Sequence, residues 1–217
     1  MKKKGLTVAA CLLIAVVLVT GMAFALSAGI RNVRAAVKLG DITVDSGTLT
    51  YLAALYKRDY IDGLRKSGVD ASDSEEFWDS EKSEGVRYGE LFEAEFEIYL
   101  TGLVADAYLY ITNHGYTPED KIRVSEKNDA VLRTRAQGSV VEFNEVAEKY
   151  GFDYNDFQNA NALIYKASRA RELLPGTLGE EQYETMLENA KGDVRFYRYY
   201  DDVDFLAVPM VKEYYVE

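Results

Sequence analysis

From Gly5 to Ile30 the chain carries no charged residue, and beyond Arg34 its apolar positions settle first into alternation and then into three- and four-residue spacing. Val37 to Val44 reads as a short extended piece with a turn or bulge at Gly40 and Asp41, after which Asp45 or Ser46 is placed to cap a helix. Leu49, Leu52, Tyr56, Tyr60 and Leu64 then share one helical face as far as Gly68. Residues 67–85 are polar and acidic; Phe77 and Trp78 mark one short helical turn that plugs into the core. The strongest pattern predicts a helix from Tyr88 to Asn113, with Gly115 as its stop and Phe92, Phe96, Tyr99, Leu103, Ala107 and Tyr110 along one stripe. Only Asp106 is charged between Gly102 and Ile111, so the second half should be covered on most sides.

Thr117 as cap and Pro118 as first residue open a helix to about Ala136, whose thin apolar face of Ile122, Val124, Val131 and Leu132 marks it as a surface element. Ser139 and Glu142 have the spacing of a capping box for a short helix through Phe143, Val146 and Tyr150, closed by Gly151. Asp153 caps the next helix, in which Ala160, Leu163, Ala167, Ala170 and Leu174 keep period until Pro175 and Gly176 end it. A further helix spans Glu180 to Ala190. In the last stretch Val203, Phe205 and Ala207 alternate as a strand would, and Glu213 to Val216 could return as its partner, a C-terminal β-hairpin. The expected fold is mainly α, with a short β element near the start.

The uncharged run sits behind Lys2, Lys3 and Lys4, the arrangement of an export signal. Its length covers the roughly 20 residues that cross a bilayer, which favours an uncleaved anchor; Ala23, Phe24 and Ala25 offer a peptidase a cut after Ala25. Residues 1–34 are therefore a signal peptide or signal anchor, with membrane contact through residues 5–30 and the rest outside the cytoplasm, single-pass or secreted. Cys11, the sole cysteine, precedes most of the apolar core, against a lipid-attachment site, and leaves the exported part without intrachain disulfides. All 36 acidic residues but only 20 of the 25 basic ones follow Arg34, a formal charge of −16 that repels nucleic acid and anionic lipid.

Candidate chemistry is sparse. His114, the only histidine, falls at a helix end, where the dipole accommodates an imidazole without any catalytic role. Asp201, Asp202 and Asp204 lack the glycine and closing glutamate of a calcium loop. Glu75 with Glu76, and Glu180 with Glu181, are neighbours in sequence and point apart on a helix. Neither a nucleophile elbow nor a phosphate loop nor a zinc spacing occurs, so no catalytic, cofactor-binding or metal residue is assigned. The 17 tyrosines and 9 phenylalanines fill a helical core or, collectively, line a groove that holds varied unfolded segments.

The export segment, the extended opening at Val37 to Val44, the aromatic helix from Leu49, Phe77-Trp78, the helix Glu90 to Asn113 and the short helix Glu142 to Tyr150 with Gly151, Phe152 and Asp153 together resemble the N-terminal chaperone domain of bacterial SurA and PrsA type foldases. The resemblance covers most of residues 37–205, and Lys38-Leu39-Gly40-Asp41 departs from the family's opening turn. It implies a multi-helix chaperone domain at 35–202 that binds unfolded or extended polypeptide without a cofactor. It also implies that the strand-like tail 203–217 is a remnant of a following domain. In such foldases a parvulin-type prolyl isomerase domain follows; its histidines have no counterpart here, so no isomerase residue is carried over. The other readings are a prolyl isomerase homologue whose catalytic part is lost, and a structural partner that docks through its C-terminal strands.

Overall fold

A computed structural model describes residues 35–211. The predicted export segment and the second tail strand, Glu213 to Val216, lie outside them. Among the described residues no helix is long and apolar enough to cross a membrane.

The described chain is mainly helical. Strands β1 (Ala35–Leu39) and β2 (Ile42–Asp45) flank Gly40, whose φ of +54° makes the tight turn predicted there. The Asp45 carboxylate accepts from the Thr48 N–H at 2.9 Å and so starts α1 (Ser46–Lys66). A loop leads to α2 (Glu75–Asp79), capped by Ser74, which buries Phe77 and Trp78 as expected. Next comes a small hairpin of β3 (Glu81–Ser83) and β4 (Val86–Arg87), which the periodicity did not reveal because its three-residue strand is wholly exposed.

Helix α3 (Tyr88–Asn113) is the central element. Leu103 through Ala107 are all buried, so that stretch is enclosed on every side, Asp106 included. Helix α4 (Pro118–Arg135) follows the Thr117 cap, and α5 (Val140–Ala147) runs into a 3-10 turn (Glu148–Tyr150) that Gly151 ends at φ +81°. Helix α6 (Tyr154–Leu178) lies along α3, with Ala160, Ala167 and Ala170 fully buried where small side chains let the two backbones approach. Pro175 does not end α6, contrary to the sequence reading. A proline removes one N–H near the end of a helix, and the last turn still closes through the Gly179 N–H on the Pro175 carbonyl at 3.0 Å. Helices α7 (Glu180–Asp193) and α8 (Arg198–Asp201) complete the set, and β5 (Arg195–Phe196) pairs antiparallel with β1 to give a sheet ordered β2-β1-β5.

The tail also differs from expectation. Residues 203–211 form turns rather than a strand, because the Asp204 carboxylate accepts from the Ala207 N–H and its carbonyl takes the N–H groups of Ala207 and Val208. The buried positions are Phe205, Val208 and Val211, spaced by three instead of two. This segment belongs to the core. Lys57, fully buried on α1, donates to the carbonyls of Leu206 and Val208 at 2.8 and 2.5 Å and to Asp73 at 3.1 Å. Asp73 accepts in turn from the Trp78 indole and the Met210 N–H. All three ammonium hydrogens thus have acceptors, and the tail is tied down at its midpoint.

Aromatic packing accounts for most of the tyrosine and phenylalanine. One cluster joins Tyr56, Tyr60, Trp78, Phe92, Phe96, Tyr99 and Phe205, with Tyr56 stacked on Tyr99 at 4.8 Å and the Phe96 and Phe205 rings tilted to each other at 5.1 Å. A second joins Tyr51, Phe143, Phe152, Tyr154 and Phe157, with the Phe143 and Phe157 ring centroids 5.0 Å apart. Such pairs add about 0.5–1.5 kcal/mol beyond the area they bury.

Candidate functional site

The seam between α4 and α6 opens into a pocket that Leu55 of α1 also lines. Its polar groups begin at the α4 N-terminus. The Thr117 hydroxyl accepts from the Asp120 N–H at 3.2 Å, and the Asp120 carboxylate accepts from the Thr117 N–H at 2.9 Å, a reciprocal cap. The same buried carboxylate accepts from the Tyr110 hydroxyl of α3 at 2.9 Å and the Tyr165 hydroxyl of α6 at 2.7 Å. Burial alone would raise the Asp120 pKa. The hydrogen bonds from Tyr165, Thr117 and Tyr110 outweigh it and hold the carboxyl well below the usual range. Burial, with donation to Asp120, pushes the Tyr165 hydroxyl up to about 12. Asp120 is saturated with donors and serves as the rivet of three helices.

Two turns further along α4, Asn128 meets Asn161 of α6. The Asn161 amide donates to the Asn128 carbonyl oxygen at 2.8 Å, with the two residues 9 % and 2 % exposed. Pairing two primary amides through one hydrogen bond leaves one side-chain NH2 donor and one C=O acceptor without a protein partner, whichever way the amides are turned. The open donor and acceptor are not sealed from solvent, so water or a ligand in the seam can answer them. Both asparagines line a pocket of about 180 Å³ together with Leu55, Val124 and Ile164 on its apolar side and Lys127, Tyr165 and Ser168 on its polar side.

The α4–α6 face is also locally basic. The Lys166 ammonium lies over the Tyr116 ring at 4.5 Å and the Lys121 ammonium over the same ring at 5.8 Å. Lys121 precedes Val124 by one turn on α4, and Lys166 follows Tyr165 on α6. Of the acidic side chains nearby, Glu119 binds Arg123 at 2.7 Å and Glu172 binds Arg169, while Glu126 and Asp129, flanking Lys127 and Asn128, have no ion pair among the described residues. Among the described residues Lys121, Lys127 and Lys166 have no carboxylate within ion-pair distance. Burial and the Lys121 charge hold the Lys166 pKa below its ordinary value.

The residues weighed from the sequence fall elsewhere. His114 is exposed, stacks on the Tyr110 ring at 4.9 Å and turns its Nδ1 toward the Gly115 carbonyl. Asp202 faces Arg198, Asp204 caps the tail turn, and Glu75 and Glu180 open the first turns of α2 and α7. The tyrosines went largely into the core, and the pocket holds only Tyr165 of them. What sequence reasoning missed is Asn128 and Asn161. A signal was present: Asn128 stands midway between Val124 and Leu132, four residues from each, in the buried row of α4, so it occupies a core position with a polar side chain. Counting apolar residues alone passed over it.

Chemically, this arrangement offers a donor and an acceptor on a half-apolar floor with cations beside it. Among the described residues no group of three or more histidine, cysteine or acidic side chains is placed to hold a metal ion. Comparisons with protein-family models, curated proteins and solved structures returned no match.

Proposed function

We propose that residues 35–211 are a non-catalytic polypeptide-binding domain that takes extended segments of other chains against the α4–α6 seam, held outside the cytoplasm by the apolar N-terminal segment. The observation that carries this reading is the half-satisfied Asn128–Asn161 pair at the floor of a partly apolar pocket. A backbone amide presents one N–H and one C=O, the complement of what the pair leaves open, and every polypeptide repeats that group whatever its sequence. Leu55, Val124 and Ile164 then receive one apolar side chain. The resemblance to SurA and PrsA type chaperone domains supports the same assignment from the order of elements.

The pocket's size sets the mode of action. Sites for drug-sized ligands usually measure about 300–1,000 Å³, so one of about 180 Å³ holds a single side chain and its flanking amides. Binding of that extent is weak and fast to release, which suits a holder of unfolded clients better than a receptor for one ligand. The most buried cation, Lys57, has three acceptors and no part in the seam, so it supplies no nucleophile there.

The test is aggregation suppression with a chemically unfolded model substrate, run alongside fluorescence-anisotropy titration of a labelled, unstructured peptide. Protection at stoichiometric excess, and saturable peptide binding weakened about fivefold or more by Asn128→Leu, are the expected results, the loss of one hydrogen bond being worth about 0.5–1.5 kcal/mol. Absence of both protection and peptide binding would overturn the proposal.

A further inference from the structure

From the cations beside the pocket we infer that the α4–α6 site selects a carboxylate: its preferred ligand is an acidic polypeptide segment, with the carboxylate within about two residues of the backbone amide held by Asn128 and Asn161. This deepens the peptide-binding reading and rests on it. Three lysines border the seam, and among the described residues none is matched by an acid, although the protein beyond Arg34 carries a formal charge of −16. Lys38, Lys66, Lys82 and Lys149 also lack an ion pair among the described residues, but only at this seam do two such lysines share one aromatic ring beside a pocket lined by a third. Lys121 and Lys166 are also held in place. Both ammoniums lie over the Tyr116 ring, at 5.8 and 4.5 Å, so two like charges stand beside one ring with no carboxylate in ion-pair distance of either. A carboxylate entering between them relieves that repulsion and gains charge-assisted hydrogen bonds at little ordering cost.

Three of the carboxylates on α4 and α6 are already occupied. Asp120 is buried and has four donors, while Glu119 and Glu172 are engaged by Arg123 and Arg169. The overall negative charge does not cancel the local effect either. Charges more than about 8–10 Å away are screened at physiological salt, whereas ammoniums in contact with the ligand are not. Lys127, lining the pocket itself, gives the ligand a third cation on the α4 side.

The experiment uses the full chain in mild non-ionic detergent and three blocked, fluorescently labelled peptides that differ only by Glu, Gln or Lys next to a central leucine. A fourth peptide has Gln at that position and a free C-terminal carboxylate two residues on. The Glu peptide and the free-acid peptide are expected to bind about tenfold tighter than the Gln peptide, and the Lys peptide weakest, a span set by the strength of hydrogen bonds to charged groups. In the double variant Lys121→Gln/Lys166→Gln, whose side chains keep stems over Tyr116, the acidic advantage should fall to twofold or less while the Gln peptide binds as before. Raising NaCl from 50 to 500 mM should shrink the advantage in the wild type alone. Equal binding of the Glu and Lys peptides, or an acidic preference that survives the double variant with its melting temperature unchanged, would overturn the inference and leave peptide binding standing. If none of the four peptides binds, the peptide-binding reading fails and the inference with it.

Discussion

Leu55 and Lys57 lie two residues apart on α1 and belong to two polar neighbourhoods that end differently. Around Lys57 every donor finds an acceptor: Asp73, two tail carbonyls, and beyond them the Trp78 indole and the Met210 N–H bound to the same aspartate. Around the pocket that Leu55 lines, the Asn128–Asn161 pair makes one hydrogen bond and stops. Both are buried, and both interrupt apolar packing. A closed network holds the fold, while one that leaves polar atoms facing a pocket is available to something else. Mutation should therefore separate them. Changes at the first should cost stability, and changes at the second should cost binding.

The largest effect is expected from a stop codon after Asp202. It removes Phe205, Val208 and Val211 from the core and strips Lys57 of two acceptors. Each buried apolar side chain is worth about 1.5–3 kcal/mol, against a total stability of about 5–15 kcal/mol. Loss of cooperative unfolding in urea is the outcome to look for. A truncated protein that melts sharply would show the tail to be an appendage, as a docking strand would be. Lys57→Ala keeps the tail and isolates its tether. It leaves Asp73 charged without its cation, for which about 3–5 kcal/mol is expected by chemical denaturation.

Asp120 comes next and joins the two regions, since its carboxylate belongs to the seam but is closed like the Lys57 network. Asp120→Ala orphans the hydroxyls of Tyr110 and Tyr165 and half of the Thr117 cap, for an expected loss of about 2–4 kcal/mol. The sign of its pH dependence is fixed by its direction of shift. A carboxyl held below its ordinary range in the fold contributes fully above about pH 4, and that contribution is lost as pH falls toward the folded-state value. Urea midpoints at pH 7 and pH 3 should converge between wild type and Asp120→Ala as the acid limit is approached.

Asn128→Leu should invert this order. Asn161 loses its partner, at about 1 kcal/mol, while a leucine buried at a row position between Val124 and Leu132 returns a similar amount. Stability should stay within about 1 kcal/mol of wild type as peptide affinity falls. A large destabilisation would place the pair with the closed networks and remove the basis of the comparison.

The two regions also differ in how far the sequence disclosed them. Helix α3 was legible to its ends because Tyr88 to Asn113 keeps an unbroken apolar stripe, and α1, α4 and α6 announced themselves through Asp45, Thr117 and Asp153 at their caps. Long-range polar pairings were not legible. Lys57 donates to Val208, 151 positions away, and nothing near either residue encodes the other. The Val203 to Ala207 alternation misled for a related reason. A short apolar run takes strand form only if its N–H groups are free for a ladder, and here Asp204 collects those of Ala207 and Val208. Asn128 lay within reach of a reading that asked which polar residues occupy apolar register.

The smallest effect concerns a third acidic contact, where the N-termini of α1 and α6 meet. Asp153 and Asp156 cap α6 reciprocally, the Asp156 N–H donating to Asp153 and the Asp153 N–H to Asp156, each at 2.9 Å. Asp156 is pressed against the α1 backbone so closely that a Cβ on Gly47 would fall 2.2 Å from its Oδ2. Burial raises the Asp156 pKa; the Asp153 N–H opposes this, but the carboxylates of Asp153 and Asp45 add to it, and the group is pushed up to about 7. Unfolded, it titrates near 4, so between about pH 4 and 7 the folded chain binds the extra proton. Stability present below that window is lost as pH rises through it. Asp156→Asn keeps an acceptor for the Asp153 N–H and removes the charge. At pH 8 it should raise the melting temperature by about 2–4 °C, corresponding to on the order of 1 kcal/mol for a group that is partly screened by solvent. At pH 4, where the wild-type carboxyl is already protonated, the two proteins should melt together. If the two melting curves stay parallel from pH 4 to pH 8, the ionised Asp156 carboxylate is as well served by the two helix N-termini as it is by water, and this contact belongs with the closed networks.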